Sequence, residues 1–145
     1  MIAVDSNLLV YAHRQDSQWH SRASERIGAL AAGKSQWAIP WPCVHEFANI
    51  VTHPRIFDPP STVDEASEQL DAWLESPSLV LLGEAEGYWP ILRRELIRAR
   101  VVGPRIHDAR IAAICLQNDV GLLWTADRDF SRFPALRTSN PLVSG

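Results

Sequence analysis

Five acidic side chains carry the most chemistry in this sequence: Asp5, Glu46, Asp108 and the pair Asp127 and Asp129. They recur at similar places in an alternation of apolar runs and amphipathic stretches. Asp5 follows the run Ile2–Val4, and Glu46 lies about one turn into the stretch after Trp37 to Pro40. Asp108 falls in the first turn of Ile106 to Asn118, and the aspartate pair follows Val120 to Thr125. Carboxylates brought within a few ångströms of one another cannot all stay ionised without a cation. A converging set therefore holds a divalent metal or keeps some members protonated. Oxygen donors alone point to Mg²⁺ or Mn²⁺ over Zn²⁺. Each acid also fits a local role: Asp5 or Ser6 as a helix cap, Asp108 as a favourable charge at a helix start, Asp127 and Asp129 as turn formers. Glu46 has no such local reason, since it interrupts a helix whose apolar side carries Phe47, Ile50 and Val51.

The elements that must position these acids read as repeated strand-helix units. After Ile2–Val4, a helix starts in the run Leu8 to Ala12, and a surface helix spans Gln18 to Ala32 with Gly33 as its stop. Trp37 to Pro40 reads as a second strand, with Pro42 at the first position of a helix carrying Cys43 to Thr52. Thr62 and Glu65 form a capping box for a helix running to about Glu75. Leu79 to Leu82, wholly apolar, reads as a strand covered on both faces. Helices over Glu86 to Arg100 and Ile106 to Asn118 follow, then a fourth strand at Val120 to Thr125. A short edge strand is expected around Leu136 to Ser139, and NPLVSG reads as a loose tail. This alternation predicts an α/β fold with a mainly parallel sheet, in which ligands bind outside the carboxyl ends of the strands.

Composition bounds the function. A chain of 145 residues with 46% hydrophobic and 21% charged residues is ordinary for one soluble domain. It has no apolar stretch of membrane-span length and no secretory-signal layout, which predicts a cytoplasmic protein. Cys43 and Cys115 stand far apart and read as buried reduced thiols. The net charge of −3 does not advertise nucleic-acid binding, but all of the 14 basic residues except Lys34 are arginine, whose planar fork suits phosphate. Neither a Gly-x-x-x-x-Gly-Lys run nor a Gly-x-Gly-x-x-Gly fingerprint is present, which excludes the common nucleotide-binding loops. A receiver domain also clusters aspartates around Mg²⁺, but it needs a lysine on a late strand, and Lys34 is misplaced. Cys43 and His45, two apart on a helix, do not face each other as nucleophile and base would.

Taken together, MIAVDSNLLVYA, PWPCVHEF, IHDARIAAICL and LLWTADRDF resemble the PIN-domain ribonucleases, and specifically the VapC-type toxins of bacterial toxin–antitoxin pairs. The similarity runs from Asp5 to Phe133. It implies a three-layer α/β/α PIN-like fold with a mainly parallel four- or five-stranded sheet, a single PIN domain over residues 1–145. The activity it implies is that of an Mg²⁺- or Mn²⁺-dependent endoribonuclease, cleaving structured or translation-related RNA by metal-activated water. It also implies a VapB-type antitoxin partner and a homodimer. By the same resemblance Asp5, Glu46, Asp108 and one of the loop aspartates bind metal, with Ser6, Asn7 and Thr125 supporting them. The family's pattern admits either loop position; Asp129 is favoured and Asp127 kept beside it.

With Asp5 assigned to metal, the capping of the next helix is expected to pass to Ser6 and Asn7. An acidic site repels RNA until its cation is bound, so arginines must supply outer phosphate contacts. Arg93, Arg94 and Arg98, on one helix, are candidates for that, although a solvated charged face is the better reading for each taken singly. Most of the six tryptophans read as core residues. The competing function is a non-catalytic PIN-like module that grips RNA or a protein, against which the retained cluster of acids argues.

Overall fold

The computed structural model describes residues 1–143. Eleven helices and strands alternate along the chain in the order β1 (Ile2–Val4), α1 (Ser6–His13), α2 (His20–Ala32), β2 (Trp37–Pro40), α3 (Trp41–Val51), α4 (Val63–Leu74), β3 (Leu79–Leu82), α5 (Tyr88–Ala99), α6 (Ile106–Gln117), β4 (Leu122–Trp124) and β5 (Thr138–Ser139). Two 3₁₀ turns, Gly103–Arg105 and Arg128–Arg132, flank α6 and β4. The strands form one five-stranded sheet in the order β3-β2-β1-β4-β5, and every pairing is parallel. Helices on both faces complete a three-layer α/β/α fold, α1 packing on α2 and α3, and α5 on α6.

The strand order sets where a site can form. β1 pairs with β2 on one side and with β4 on the other, so the chain's direction of travel across the sheet reverses between β1 and β4. Helices diverge at such a switch point and leave a crevice beyond the strand ends. Val4 stands in register with Trp124, so the residues that follow them, Asp5 and Thr125, emerge side by side.

Burial explains the central elements. All four residues of β2 are buried, as are Ala3 and Val4 of β1 and Leu123 of β4. In α6 Ala109, Ile111, Ala112, Ala113, Ile114 and Cys115 are buried, which makes it a core helix with only its first turn and one stripe open. The Thr62 and Glu65 capping box forms as the sequence predicts: Thr62 Oγ1 accepts from Glu65 N at 3.0 Å and Glu65 Oε1 accepts from Thr62 N at 2.9 Å. Cys43 and Cys115 are free and buried. Among the described residues no helix is long and apolar enough to cross a membrane.

Three expectations are corrected. β3 is not covered on both faces: it is an edge strand, and Leu79, Val80 and Leu81 are only half-buried. The C-terminal edge strand is confined to Thr138–Ser139, and the segment after it is not loose over its described part. Pro141 and Leu142 are buried, and the Asn140 side chain accepts from Leu142 N at 3.0 Å; positions 144 and 145 lie outside the described residues. Finally, α1 is capped by Asp5, not by Ser6 or Asn7. Asp5 has extended backbone geometry, and its Oδ1 accepts from Ser6 N at 2.8 Å.

Candidate active site

Asp5 is the buried centre of the crevice, with 3% of its surface exposed. Its oxygens are held from three directions. Oδ1 accepts from Ser6 N at 2.8 Å and lies 3.4 Å from Ser6 Oγ and 3.5 Å from the Cys43 thiol. Oδ2 accepts from Thr125 Oγ1 at 2.7 Å and from Asn7 Nδ2 at 3.2 Å. Asn7 Oδ1 in turn accepts from Ala126 N at 3.2 Å, and Thr125 Oγ1 accepts from Asp127 N at 3.0 Å. Asn7 and Thr125 thus tie the end of β1 to the loop after β4, while Ser6 bonds Asp5 at the start of α1.

The other acids approach from separate elements. Glu46, exposed on α3, accepts a short hydrogen bond from Ser6 Oγ, which sets Ser6 between two carboxylates. Asp108 sits in the first turn of α6 and is half-buried. Burial first, then the charges of Asp127, Asp5 and Glu46, push its carboxyl up to about 6, against the opposing pull of Arg105. Burial likewise raises the Asp5 carboxyl, with Thr125 and Ser6 opposing through their hydrogen bonds. Asp108 therefore feels the charge of the three other acids, and Asp5 that of Glu46, as carboxylates gathered at one crevice do.

The two loop aspartates separate. Asp127 caps the 3₁₀ turn Arg128–Arg132 by accepting from Asp129 N at 2.8 Å, and of the acids it acts most strongly on Asp108. Asp129 is instead ion-paired with the Arg105 guanidinium, whose proton it holds more tightly. Four acids from four places in the sequence, Asp5, Glu46, Asp108 and Asp127, form one electrostatic group, and Asp129 stands at its rim.

Arg93, Arg94 and Arg98 are exposed on α5, where they share a shallow surface with Trp89, Pro90 and Ile97. Arg94 pairs with Glu95, and none of the three is paired with a site carboxylate among the described residues. The arginine that reaches the acids is Arg105. It lies in the Gly103–Arg105 turn, which reads from sequence as punctuation before a helix. The three-residue spacing from Arg105 to Asp108 is the one signal that places both at the same helix start. Cys43 was legible only as a core thiol, yet it touches Asp5, and burial together with that carboxylate raises the thiol well above its ordinary range.

Among the described residues no three His, Cys, Asp or Glu side chains are gathered tightly enough to hold a metal ion as they stand. The donor chemistry nonetheless fits a hard divalent cation. The donors are all oxygen, their charges oppose one another, and Asp5 Oδ1 makes only one short hydrogen bond, which leaves it a lone pair.

Comparisons with known proteins show the family and the fold. The sequence matches the PIN domain family over residues 2–136. It is 34% identical over 142 residues to Ribonuclease VapC43 of Mycobacterium tuberculosis, covering 98% of this chain and 96% of that protein. To Ribonuclease VapC48 of the same organism it is 28% identical over 137 residues, covering 94% of each. The crystal structure of VapBC2 from Rickettsia felis bound to a DNA fragment from its promoter is similar in fold, with a TM-score of 0.67 at 22% identity over 97% of this chain and 98% of that one.

Proposed function

This chain belongs to the PIN-domain family, among its VapC-type ribonucleases, and from that premise we propose that it is the ribonuclease toxin of a toxin–antitoxin pair, cleaving RNA at the acidic crevice with the help of Mg²⁺ or Mn²⁺. The observation that carries the reading is the gathering at one crevice of buried Asp5, joined to Glu46 through Ser6, with half-buried Asp108, whose carboxyl is raised by burial and then by the charges of Asp127, Asp5 and Glu46. A scaffold used only for gripping gains nothing from such a costly group.

In this reading Asp5, Glu46, Asp108 and Asp127 hold the ion. Asp127 is chosen over Asp129 because its charge acts on Asp108, whereas Asp129 is paired with Arg105. A divalent ion held there would lower the pKa of a bound water and neutralise charge on an in-line phosphoryl transition state. Thr125 and Asn7 orient Asp5, Ser6 keeps Asp5 and Glu46 at a fixed separation, and Arg105, half-exposed at the rim, draws the RNA backbone toward the acids. A VapB-type antitoxin is the protein partner, a homodimer the assembly, and structured or translation-related RNA the substrate.

The test is divalent-dependent cleavage. Purified protein incubated with total RNA should cut it with Mg²⁺ or Mn²⁺ present and not with EDTA, and Asp5→Asn should abolish cutting while the fold survives. Cleavage that persists in Asp5→Asn or in EDTA refutes the assignment.

A further inference from the structure

A groove of about 350 Å³ opens beside Glu46, between one face of α3 and one face of α6. Its walls are His45, Glu46 and Asn49 from α3 and His107, Arg110 and Ile111 from α6. Residues three and four apart on a helix share a face, so each trio forms a continuous wall. Because Glu46 and the residue before Asp108 both line it, the groove starts at the acidic crevice and leads away from it.

The chemistry of the walls selects its occupant. The side chains of His45, Asn49 and His107 make no hydrogen bond within the chain among the described residues, so their donors and acceptors are open. The His45 ring is 6.3 Å from the exposed Trp41 ring at 35°, which adds a second flat surface beside it. The cation in the wall has its charge offset by a neighbour: Arg110 Nε donates to Glu84 Oε1 at 2.6 Å. Flat rings and an open amide beside a carboxylate suit an uncharged planar group with polar edges, and disfavour a second phosphate. In RNA that group is a base, and only an unpaired base can leave its helix to stack on aromatic rings and present its edge to an amide.

We propose that this groove is a subsite for the unpaired base adjoining the cleaved phosphodiester, with Asn49 reading the base edge and His45 and His107 flanking its faces. The proposal rests on the ribonuclease reading above and adds a specificity determinant outside the acidic group.

The experiment uses short single-stranded RNAs that differ at one base on either side of the cleaved bond, with an abasic version of each. Wild-type kcat/KM should spread by about tenfold or more across the bases at one of those positions, the discrimination expected of a good amide–base contact. Asn49→Ala should collapse that spread, with an unchanged melting midpoint showing that this exposed position leaves the fold intact. A second arm measures binding of the same RNAs to Asp108→Asn by fluorescence anisotropy, with and without Asn49→Ala. Cleavage indifferent to the base and to Asn49→Ala overturns the subsite and leaves the ribonuclease reading standing. Absent cleavage with base-selective binding that Asn49→Ala abolishes overturns the ribonuclease reading and supports the subsite.

Discussion

Thr125, the first residue beyond β4, donates a 2.7 Å hydrogen bond to Oδ2 of Asp5, the first residue beyond β1, across 120 positions of sequence. Both residues are buried, and the parallel register of Val4 with Trp124 is what places them side by side. The bond opposes the upward push that burial gives the Asp5 carboxyl.

Removing that donor should therefore cost both stability and metal binding. Thr125→Val leaves one buried carboxylate oxygen short of a partner and removes the acceptor for Asp127 N. A loss of about 1–3 kcal/mol in urea unfolding is expected, with weaker Mn²⁺ binding by calorimetry. Thr125→Ser, which keeps the hydroxyl, should stay close to wild type on both measures.

The two loop aspartates should respond differently to the same chemical change. Asp127→Asn removes the acidic charge that acts most strongly on Asp108, so the Asp108 carboxyl falls part of the way toward its ordinary range and the Mn²⁺ affinity drops. Asp129→Asn frees Arg105 and leaves the four-acid group intact. Calorimetric titration with Mn²⁺ should rank the affinities wild type, Asp129→Asn, then Asp127→Asn; the reverse order of the two variants would move the fourth ligand to Asp129.

Metal-free protein should become more stable as pH falls from about 7.5 to about 5. The Asp108 carboxyl is raised from 3.8 to about 6 in the folded chain, so the native state binds its proton more tightly than the unfolded state does. The resulting penalty is fully felt above about 6 and disappears below the unfolded value, and raised Asp5 acts in the same direction. Because Asp108 is half-buried, solvent screening reduces its share to about 1–2 kcal/mol. Below about pH 4 the trend reverses, since Asp16, Glu65 and Glu84 have lowered carboxyls and lose their stabilising contacts on protonation. Melting curves in EDTA should show a midpoint several degrees higher at pH 5 than at pH 7.5. Asp108→Asn should flatten that slope, and saturating Mn²⁺ should erase it.

What the sequence could show was local. Trp37 to Pro40 and Leu79 to Leu82 are apolar runs bounded by breakers, and Thr62 with Glu65 is a capping box within one turn, so strand, strand and helix start were all legible. Asp5, Asp108 and the loop pair drew notice because each terminates or opens an element, and Glu46 because it interrupts one. The Arg105–Asp129 pair was not, because it joins two turns whose approach depends on tertiary packing. Asp5 shows a different limit. Capping and metal binding looked like alternatives, but a carboxylate has two oxygens: Oδ1 caps α1, and both remain part of the crevice. Leu142 is buried through a contact that no period or motif in NPLVSG announces.

Ser6 supplies the last prediction, because its hydroxyl serves two acids at once. Ser6 Oγ donates to Glu46 Oε1 and lies 3.4 Å from Asp5 Oδ1, while its backbone N–H carries the stronger bond to Asp5. Ser6→Ala keeps the backbone bond and the helix cap, so the fold should hold. It releases Glu46, however, whose exposed side chain then loses its only restraint toward the crevice among the described residues. Residues that orient ligands in this way typically change metal affinity by about 10–100-fold when removed. Mn²⁺ affinity should fall within that range while the metal-free melting midpoint stays near wild type, and Ser6→Thr should recover most of the loss. Equal losses in stability and affinity would assign Ser6 to packing, and an unchanged affinity would remove Glu46 from the ligand set.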